Sequence, residues 1–282
     1  MRTYLSLALT LMCLLTLKVT AQTSGGAASY CQRGFEQFQK GDLDAAIADF
    51  TTAVTFDPGY VRAYLNRAIV WYRLGRLDKA MGDLNKTIGL EPRSADAFSG
   101  RGNIYVDLGE YDKAAADFTR AIEINPKLVA AYCNRGIVRQ LNWQIDDAIA
   151  DYSKAIELAP GSVEAFHNRG AAWLEKSELE RAIRDFDRAI ALAPGRAGSY
   201  TGRGKAREAR GDIDGALADY TKAIQVEPTY ALAYAHRASA FADAGKNMEA
   251  TKDYRICLRL NRALAEFLKD RLSGRQNVCK RS

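Results

Sequence analysis

The sequence predicts an all-α solenoid made of seven helix-turn-helix units. The first observation is the spacing of proline, because the chain has six prolines and each one after the first lies 34 residues beyond the previous one. The second is that position 4 of this period is always aromatic and position 20 is always alanine. A fixed period of this length indicates stacked helical repeats. The prolines are Pro58, Pro92, Pro126, Pro160, Pro194 and Pro228.

The N-terminal segment has the residue pattern of an export signal. Arg2 precedes an apolar run, residues 5–17, and Lys18 and small residues follow up to Ala21. A charged start, an apolar core and a small-residue end are typical of a secretory signal peptide. The apolar run is shorter than the ~20 residues that a membrane-spanning helix needs. We therefore expect residues 1–21 to be a signal peptide cleaved after Ala21, while its retention as an anchor stays open, and residues 22–26 to be a short linker.

The seven repeats follow the linker without a break. In the seventh repeat Arg262 stands where proline is due, which suits a terminal repeat. Proline closes each earlier repeat because its ring and missing amide hydrogen end the second helix. The predicted repeats are 27–60, 61–94, 95–128, 129–162, 163–196, 197–230 and 231–264.

The apolar columns within a repeat predict two closely packed helices. Because a residue as small as alanine recurs at position 20, we expect the two helices to approach closely there, so that a larger side chain would overpack the site. Glycine is common in the turn between the helices, where it permits a left-handed conformation. Position 4 holds Tyr30, Tyr64, Phe98, Tyr132, Phe166, Tyr200 and Tyr234, and position 20 holds Ala46, Ala80, Ala114, Ala148, Ala182, Ala216 and Ala250.

A polar ladder runs through the same repeats. Position 7 is always arginine and position 23 is always aspartate, and opposite charges at a fixed offset predict ion pairs within a repeat or between neighbouring repeats. We interpret the ladder as structural. The arginines are Arg33, Arg67, Arg101, Arg135, Arg169, Arg203 and Arg237, and the aspartates are Asp49, Asp83, Asp117, Asp151, Asp185, Asp219 and Asp253.

These columns resemble the tetratricopeptide-repeat (TPR) family. The resemblance rests on openings such as Tyr64-Leu65-Asn66-Arg67-Ala68 and second-helix cores such as Ala148-Ile149-Ala150-Asp151-Tyr152, and it covers residues 27 to about 264. It implies a right-handed superhelix whose first helices line a concave groove. Residues 265–282 are then expected to form a capping helix and a basic tail.

The sequence offers little material for catalysis. Its two histidines, His167 and His236, lie in different repeats without matching carboxylate or cysteine spacing, and no hydrolase, phosphate-loop or dinucleotide motif occurs. We therefore expect no enzymatic activity, no metal and no cofactor. Cys257 and Cys279 would be able to form a disulfide if the C-terminal segment folds back on the last repeat.

The resemblance to the TPR family places the binding site in the groove. Asparagine suits a peptide partner because its amide offers a donor and an acceptor to an extended backbone. We therefore expect the partner to be a protein or a peptide. The groove candidates are Arg62, Asn66, Tyr72, Arg73, Asn103, Asn134, His167 and Asn168.

The distribution of charge and the expected export of the chain limit the kinds of partner. From Arg255 onward there are eight basic residues against Glu266 and Asp270. A protein that tracks nucleic acid would carry basic charge along its whole groove, so nucleic acid is not expected. Our leading hypothesis is an adaptor, periplasmic or secreted, that scaffolds an envelope complex. The alternatives are a structural protein that contacts anionic lipid or wall polymer through the basic C-terminal end, and self-association through the end faces.

Overall fold

The computed structural model describes residues 26–264. Within this range 14 α-helices follow one another and no strand is present, which confirms the all-α helix-turn-helix fold class. Several predictions from the sequence lie outside the described residues: the signal peptide, most of the linker, the capping helix with its basic tail, and Cys279.

First and second helices alternate along the chain. The first helices are α1 (Ala27–Lys40), α3 (Val61–Arg73), α5 (Ala95–Asp107), α7 (Val129–Leu141), α9 (Val163–Glu175), α11 (Ala197–Ala209) and α13 (Ala231–Asp243). The second helices are α2 (Leu43–Phe56), α4 (Leu77–Leu90), α6 (Tyr111–Ile124), α8 (Ile145–Leu158), α10 (Leu179–Leu192), α12 (Ile213–Val226) and α14 (Asn247–Leu260).

The helices divide into two compact units, one ending at Trp143 and the other beginning at Gln144. In the first unit, α1 packs on α2, α3 on α4 and α5 on α6, and α7 packs on α6. In the second unit, α8 packs on α9, and the pairs α9 with α10, α11 with α12 and α13 with α14 follow. Within each unit, successive pairs also contact each other, so the apolar core is built in layers.

The turns between paired helices take a left-handed residue. Glycine supplies it in five turns, for example Gly109 with a φ of 77°. In two turns a residue with a side chain takes this conformation: Trp143 has a φ of 60° and Ser177 a φ of 61°. A positive φ is unfavourable for residues other than glycine. The expectation of a glycine-bearing turn therefore describes most of these turns, whereas the other two adopt the same geometry with another residue.

The core of each layer is narrow and contains alanine opposite aromatic side chains. The alanines at position 20 are fully buried, apart from Ala250, which is 3% exposed. Phe118 in α6 and Tyr220 in α12 are also completely buried. Small and large side chains therefore interlock between the two helices of a repeat, as close packing requires.

The arginine–aspartate ladder forms within repeats. In six repeats the guanidinium Nε and Nη2 of arginine donate to the two carboxylate oxygens of aspartate at 2.5 to 2.9 Å. Arg135 and Asp151 belong to different units. Each of the seven arginines also lies 5.0 to 5.8 Å from the centre of the aromatic ring at position 4. The contacting pairs are Arg33–Asp49, Arg67–Asp83, Arg101–Asp117, Arg169–Asp185, Arg203–Asp219 and Arg237–Asp253.

Candidate binding surface

Successive first helices lie next to each other within each unit. In the first unit α1 contacts α3, α3 contacts α5 and α5 contacts α7, and in the second unit α9 contacts α11 and α11 contacts α13. Side chains on these helices therefore form a continuous surface in each unit. We call them the first-helix face of the first unit and the first-helix face of the second unit.

Aromatic and charged groups meet on the first-helix face of the first unit. The guanidinium of Arg73 in α3 lies 4.3 Å from the centre of the Phe38 ring in α1. Tyr72 faces Asp107 in α5, and burial of its hydroxyl, together with its interaction with this carboxylate, raises the pKa of Tyr72 well above the usual value. Arg62 and Arg73 are both exposed. The surface thus offers one exposed cation held beside an aromatic ring and a second exposed cation at the other end of the same helix, an arrangement suited to binding.

The predicted asparagines of this unit lie at the contacts between first helices. Asn103 and Asn134 are each only 4% exposed, and the side-chain amide of Asn134 donates to the Asn103 oxygen at 2.8 Å. Asn66 is 8% exposed, and its side-chain amide donates a hydrogen bond to Cys31 Sγ at 3.6 Å. Burial and mutual bonding favour a role in joining neighbouring repeats. The prediction that these amides contact a ligand stays a prediction.

The first-helix face of the second unit contains a neutral histidine. His167 is partly buried, with its Nδ1 3.3 Å from Ser199 Oγ and its ring against the Phe186 ring at a centroid distance of 5.5 Å. Burial, helped by the positive charge of Arg196, lowers the pKa of His167 to about 3. The imidazole is therefore uncharged near neutral pH. Asn168 beside it is partly exposed.

The structure shows a third arginine contact that the sequence analysis missed. The remaining terminal nitrogen, Nη1, donates to the residue at position 25 of the preceding repeat in six cases, at 2.5 to 3.1 Å. The arginine therefore ties its repeat to the one before it. The signal was present in the sequence, because position 25 is a hydrogen-bond acceptor in all six repeats: Thr51, Asn85, Thr119, Ser153, Asp187 and Thr221.

Comparison with known families agrees with this architecture. A TPR repeat model matches residues 34–75, 102–142 and 204–245, and a tetratricopeptide repeat model matches residues 143–197. Together these matches span more than half of the chain. The chain belongs to the TPR family.

Solved TPR structures resemble the protein over much of its length. A tetratricopeptide repeat protein from Parabacteroides merdae is 21% identical, with a TM-score of 0.69, and the alignment covers 86% of this chain and 97% of that one. YrrB, described as a TPR protein with an unusual peptide-binding site, is 25% identical with a TM-score of 0.54 over 65% of this chain and 95% of its own. PilW, a type IV pilus biogenesis factor, is 22% identical with a TM-score of 0.67, and the alignment covers 72% of this chain and 94% of PilW. Among curated proteins, no match was found.

Membership of the TPR family supports a coarse function. Proteins of this family are typically non-catalytic scaffolds. The TPR repeats of this chain support a protein-interaction scaffold. Within residues 26–264, no group of three or more histidine, cysteine or acidic side chains is placed to hold a metal ion. Over the same range, no helix is both long and apolar enough to cross a lipid bilayer.

One half of the predicted disulfide can be located. Cys257 is completely buried in α14, and burial raises the pKa of its thiol. Its predicted partner, Cys279, lies outside the described residues, so the bridge stays a prediction.

Proposed function

We propose that this TPR protein is an exported adaptor that binds an extended peptide segment of a partner on the first-helix face of its first unit. The observation that carries the proposal is the contact between the guanidinium of Arg73 and the ring of Phe38, beside Tyr72 and the carboxylate of Asp107. An aromatic ring holds the guanidinium in place while its N–H donors remain exposed. Such a group can donate hydrogen bonds to a peptide carbonyl or carboxylate. Because its conformation is already restricted, little further side-chain entropy is lost on binding.

The polar groups on this face complement a peptide backbone. Arg62 and Arg73 lie at opposite ends of α3 and offer only donors, whereas the exposed carboxylate of Asp107 offers acceptors. An extended segment presents both carbonyl oxygens and N–H groups, so it can bond to both kinds of side chain. The peptide-binding site named for the structural neighbour YrrB supports this class of ligand.

The proposal places the scaffold in the cell envelope or outside the cell. Its support is the N-terminal order of Arg2, an apolar run and a small residue at Ala21, which is typical of export signals. Fractionation of the source cells, followed by mass determination of the mature chain, tests this part. We expect an exported chain that begins at Gln22, and a chain confined to the cytoplasm would refute the envelope role.

The binding face can be tested by affinity capture from envelope extract. We expect Arg62→Ala combined with Arg73→Ala to lose a partner that the unaltered chain retains. Both side chains are exposed, so this double variant should keep its fold. The matched control is Lys86→Ala combined with Arg93→Ala, which removes two exposed charges of the same sign from α4 and the loop after it.

A second double variant separates ligand binding from structural support. Asn103→Ala combined with Asn134→Ala removes the buried bond between α5 and α7, so we expect a lower melting temperature before any selective loss of partner. Capture that is unchanged in the arginine double variant would exclude this face as the site. Equal loss in both charge variants would point to a non-specific electrostatic contact.

A further inference from the structure

Exposed apolar side chains recur in three successive turns of the first unit. Leu74, Leu108 and Trp143 lie in the turns between paired helices of the second, third and fourth repeats, and they are 41%, 51% and 86% exposed. We call these three side chains the apolar turn row. None of the other repeats has a large apolar residue at the position of Leu74, which holds Lys40, Lys176, Arg210 and Ala244 there.

Trp143 is exposed in a backbone conformation that disfavours it. Its φ is 60°, in the left-handed region that glycine supplies in five of the other turns. Within residues 26–264 its indole ring makes no aromatic or cation–π contact, whereas the ring of Trp71 is covered by Lys79 at 4.3 Å. The exposed ring therefore adds nothing to the packing of its turn. Backbone strain that supports an exposed apolar group indicates contact with another molecule.

The spacing of the apolar turn row selects the secondary structure of the partner. The helices α3, α5 and α7 contact each other in succession, and packed helices lie about 8–10 Å apart, so the members of the row are separated by about this distance. An α-helix returns to nearly the same face about every seven residues, which is a rise of about 10.5 Å. A β-strand returns to the same face about every 6.7 Å, which does not match. The row therefore fits one side of a helix laid across the turns.

Opposite charges mark the two ends of the apolar turn row. Arg76 is exposed in the same turn as Leu74. At the other end Asp112 accepts a hydrogen bond at 3.4 Å from the side chain of Asn142, the residue before Trp143. Neither Arg76 nor Asp112 takes part in an ion pair with another residue of the described range.

These charges favour a protein helix over a lipid surface. A helix with an acidic first turn and a basic last turn is stabilised by its own dipole. Laid with its first turn over Arg76, such a helix would meet an opposite charge at each end of the row. An anionic membrane would instead be repelled by Asp112 beside the exposed tryptophan.

We propose that the apolar turn row binds an amphipathic helix of a partner protein whose apolar residues recur at every seventh position. The acidic end of this helix would lie over Arg76 and its basic end over Asp112. To reach from Leu74 to Trp143 the helix needs at least about 15 residues. The row lies in the turns and not on the first-helix face, so this proposal and the proposed function stand or fall independently.

The test titrates the full-length chain with two synthetic peptides of the same composition. Both are alanine-rich helices with glutamate in the first turn and lysine in the last, and a side-chain lactam bridge holds them helical. In the one-face peptide three leucines are spaced seven residues apart, and in the scattered peptide the same leucines are spaced five apart and point to different faces. We expect the one-face peptide to bind about tenfold more tightly, because only its leucines can cover the whole row.

Two variants assign the binding to named side chains. Trp143→Gly supplies the residue that five other turns use, so its melting temperature should not fall, while its affinity for the one-face peptide should fall about tenfold. Arg76→Glu should also weaken this peptide. Exchanging the glutamate of the peptide for lysine should then restore binding to the Arg76→Glu variant, because the meeting charges are opposite again.

Two controls accompany the titrations. Met248→Ala removes a side chain from the second unit that is 85% exposed, and it should leave the affinity for the one-face peptide unchanged. The double variant Arg62→Ala with Arg73→Ala should bind this peptide as the unaltered chain does, which separates the apolar turn row from the first-helix face. Circular dichroism melting verifies that every variant is folded.

Several outcomes would overturn the proposal. Equal affinity for the two peptides, or unchanged affinity in Trp143→Gly, would show that the row does not select one face of a helix. Tighter binding of a proline-rich peptide with apolar residues at every third position would assign the row to an extended ligand. A dimer that is lost in Trp143→Gly would assign it to a second copy of this chain. Peptide binding that appears only after deletion of residues 265–282 would show that the chain's own C-terminal segment occupies the row.

Discussion

At the scale of single residues, the arginine–aspartate pairs combine burial with bidentate bonding. Asp117 is 6% exposed, and its carboxylate accepts hydrogen bonds from both Nε and Nη2 of Arg101, at 2.7 and 2.9 Å. Loss of one partner from such a pair leaves the other charge poorly solvated. We predict that Asp117→Ala lowers the free energy of unfolding by about 3 kcal/mol, as measured by urea denaturation. Glu123→Ala removes an exposed ion pair with Arg120 from the same helix and should cost less than about 0.5 kcal/mol. Similar losses in the two variants would contradict a special role for the buried pairs.

His167 makes a prediction about acid stability. Its pKa is about 3 in the folded protein and about 6.5 in an unfolded chain, so below pH 6.5 the unfolded state binds a proton that the folded state does not. Stability must therefore fall as the pH falls through this window. Because the ring keeps some solvent contact, we expect about 1 kcal/mol of this loss between about pH 7 and about pH 5. Urea denaturation at both pH values should show a smaller loss for His167→Gln. Identical pH dependence of the two proteins would show that burial does not lower the pKa of His167 in the folded protein.

At the scale of helices, two glycines should respond in opposite ways to the same change. A Cβ at Gly204 in α11 would lie 2.5 Å from the buried ring of Tyr220, whereas a Cβ at Gly82 in α4 would meet nothing within 4 Å. Alanine favours the helix by roughly 0.5–1 kcal/mol relative to glycine where space allows. We predict that Gly82→Ala stabilises by about that amount and that Gly204→Ala destabilises by about 1–3 kcal/mol. Thermal unfolding monitored by circular dichroism measures both, and two shifts of the same sign would mean that helix propensity outweighs packing here.

The sequence predicted the helices better than the turns and the polar contacts. The 34-residue period, the alanine at position 20 and the proline that closes each of the first six repeats depend on local chain geometry and packing. These features were sufficient to predict the fold class. Trp143 shows the limit, because no local rule places an 86% exposed tryptophan in a left-handed turn position. Asn103 and Asn134 show another limit. Their spacing was compatible with ligand contact, but only the distance between α5 and α7 reveals that the two amides bond each other.

At the scale of the whole molecule, packing is local within each unit. Helices that contact each other are neighbours along the chain or first helices of successive repeats, for example α11 with α12, α13 and α9. In such an array, stability is approximately a sum of repeat and nearest-neighbour contributions. A defect should therefore weaken its own layer and the adjacent ones more than distant layers.

Hydrogen exchange of single variants can reveal this locality. Gly204→Ala forces the ring of Tyr220 away from α11, so the layer formed by α11 and α12 should open more often. We predict that amides in these two helices exchange about tenfold faster or more, which corresponds to a local loss of about 1.4 kcal/mol. Amides in α8 should exchange at unchanged rates, because within the second unit α8 packs on α9 and not on the altered layer. Gly82→Ala serves as the control, since it adds a methyl group in open space and should accelerate exchange nowhere. If Gly204→Ala accelerated exchange equally in every helix, the protein would open as one cooperative body, and the binding surfaces described above could not be perturbed independently.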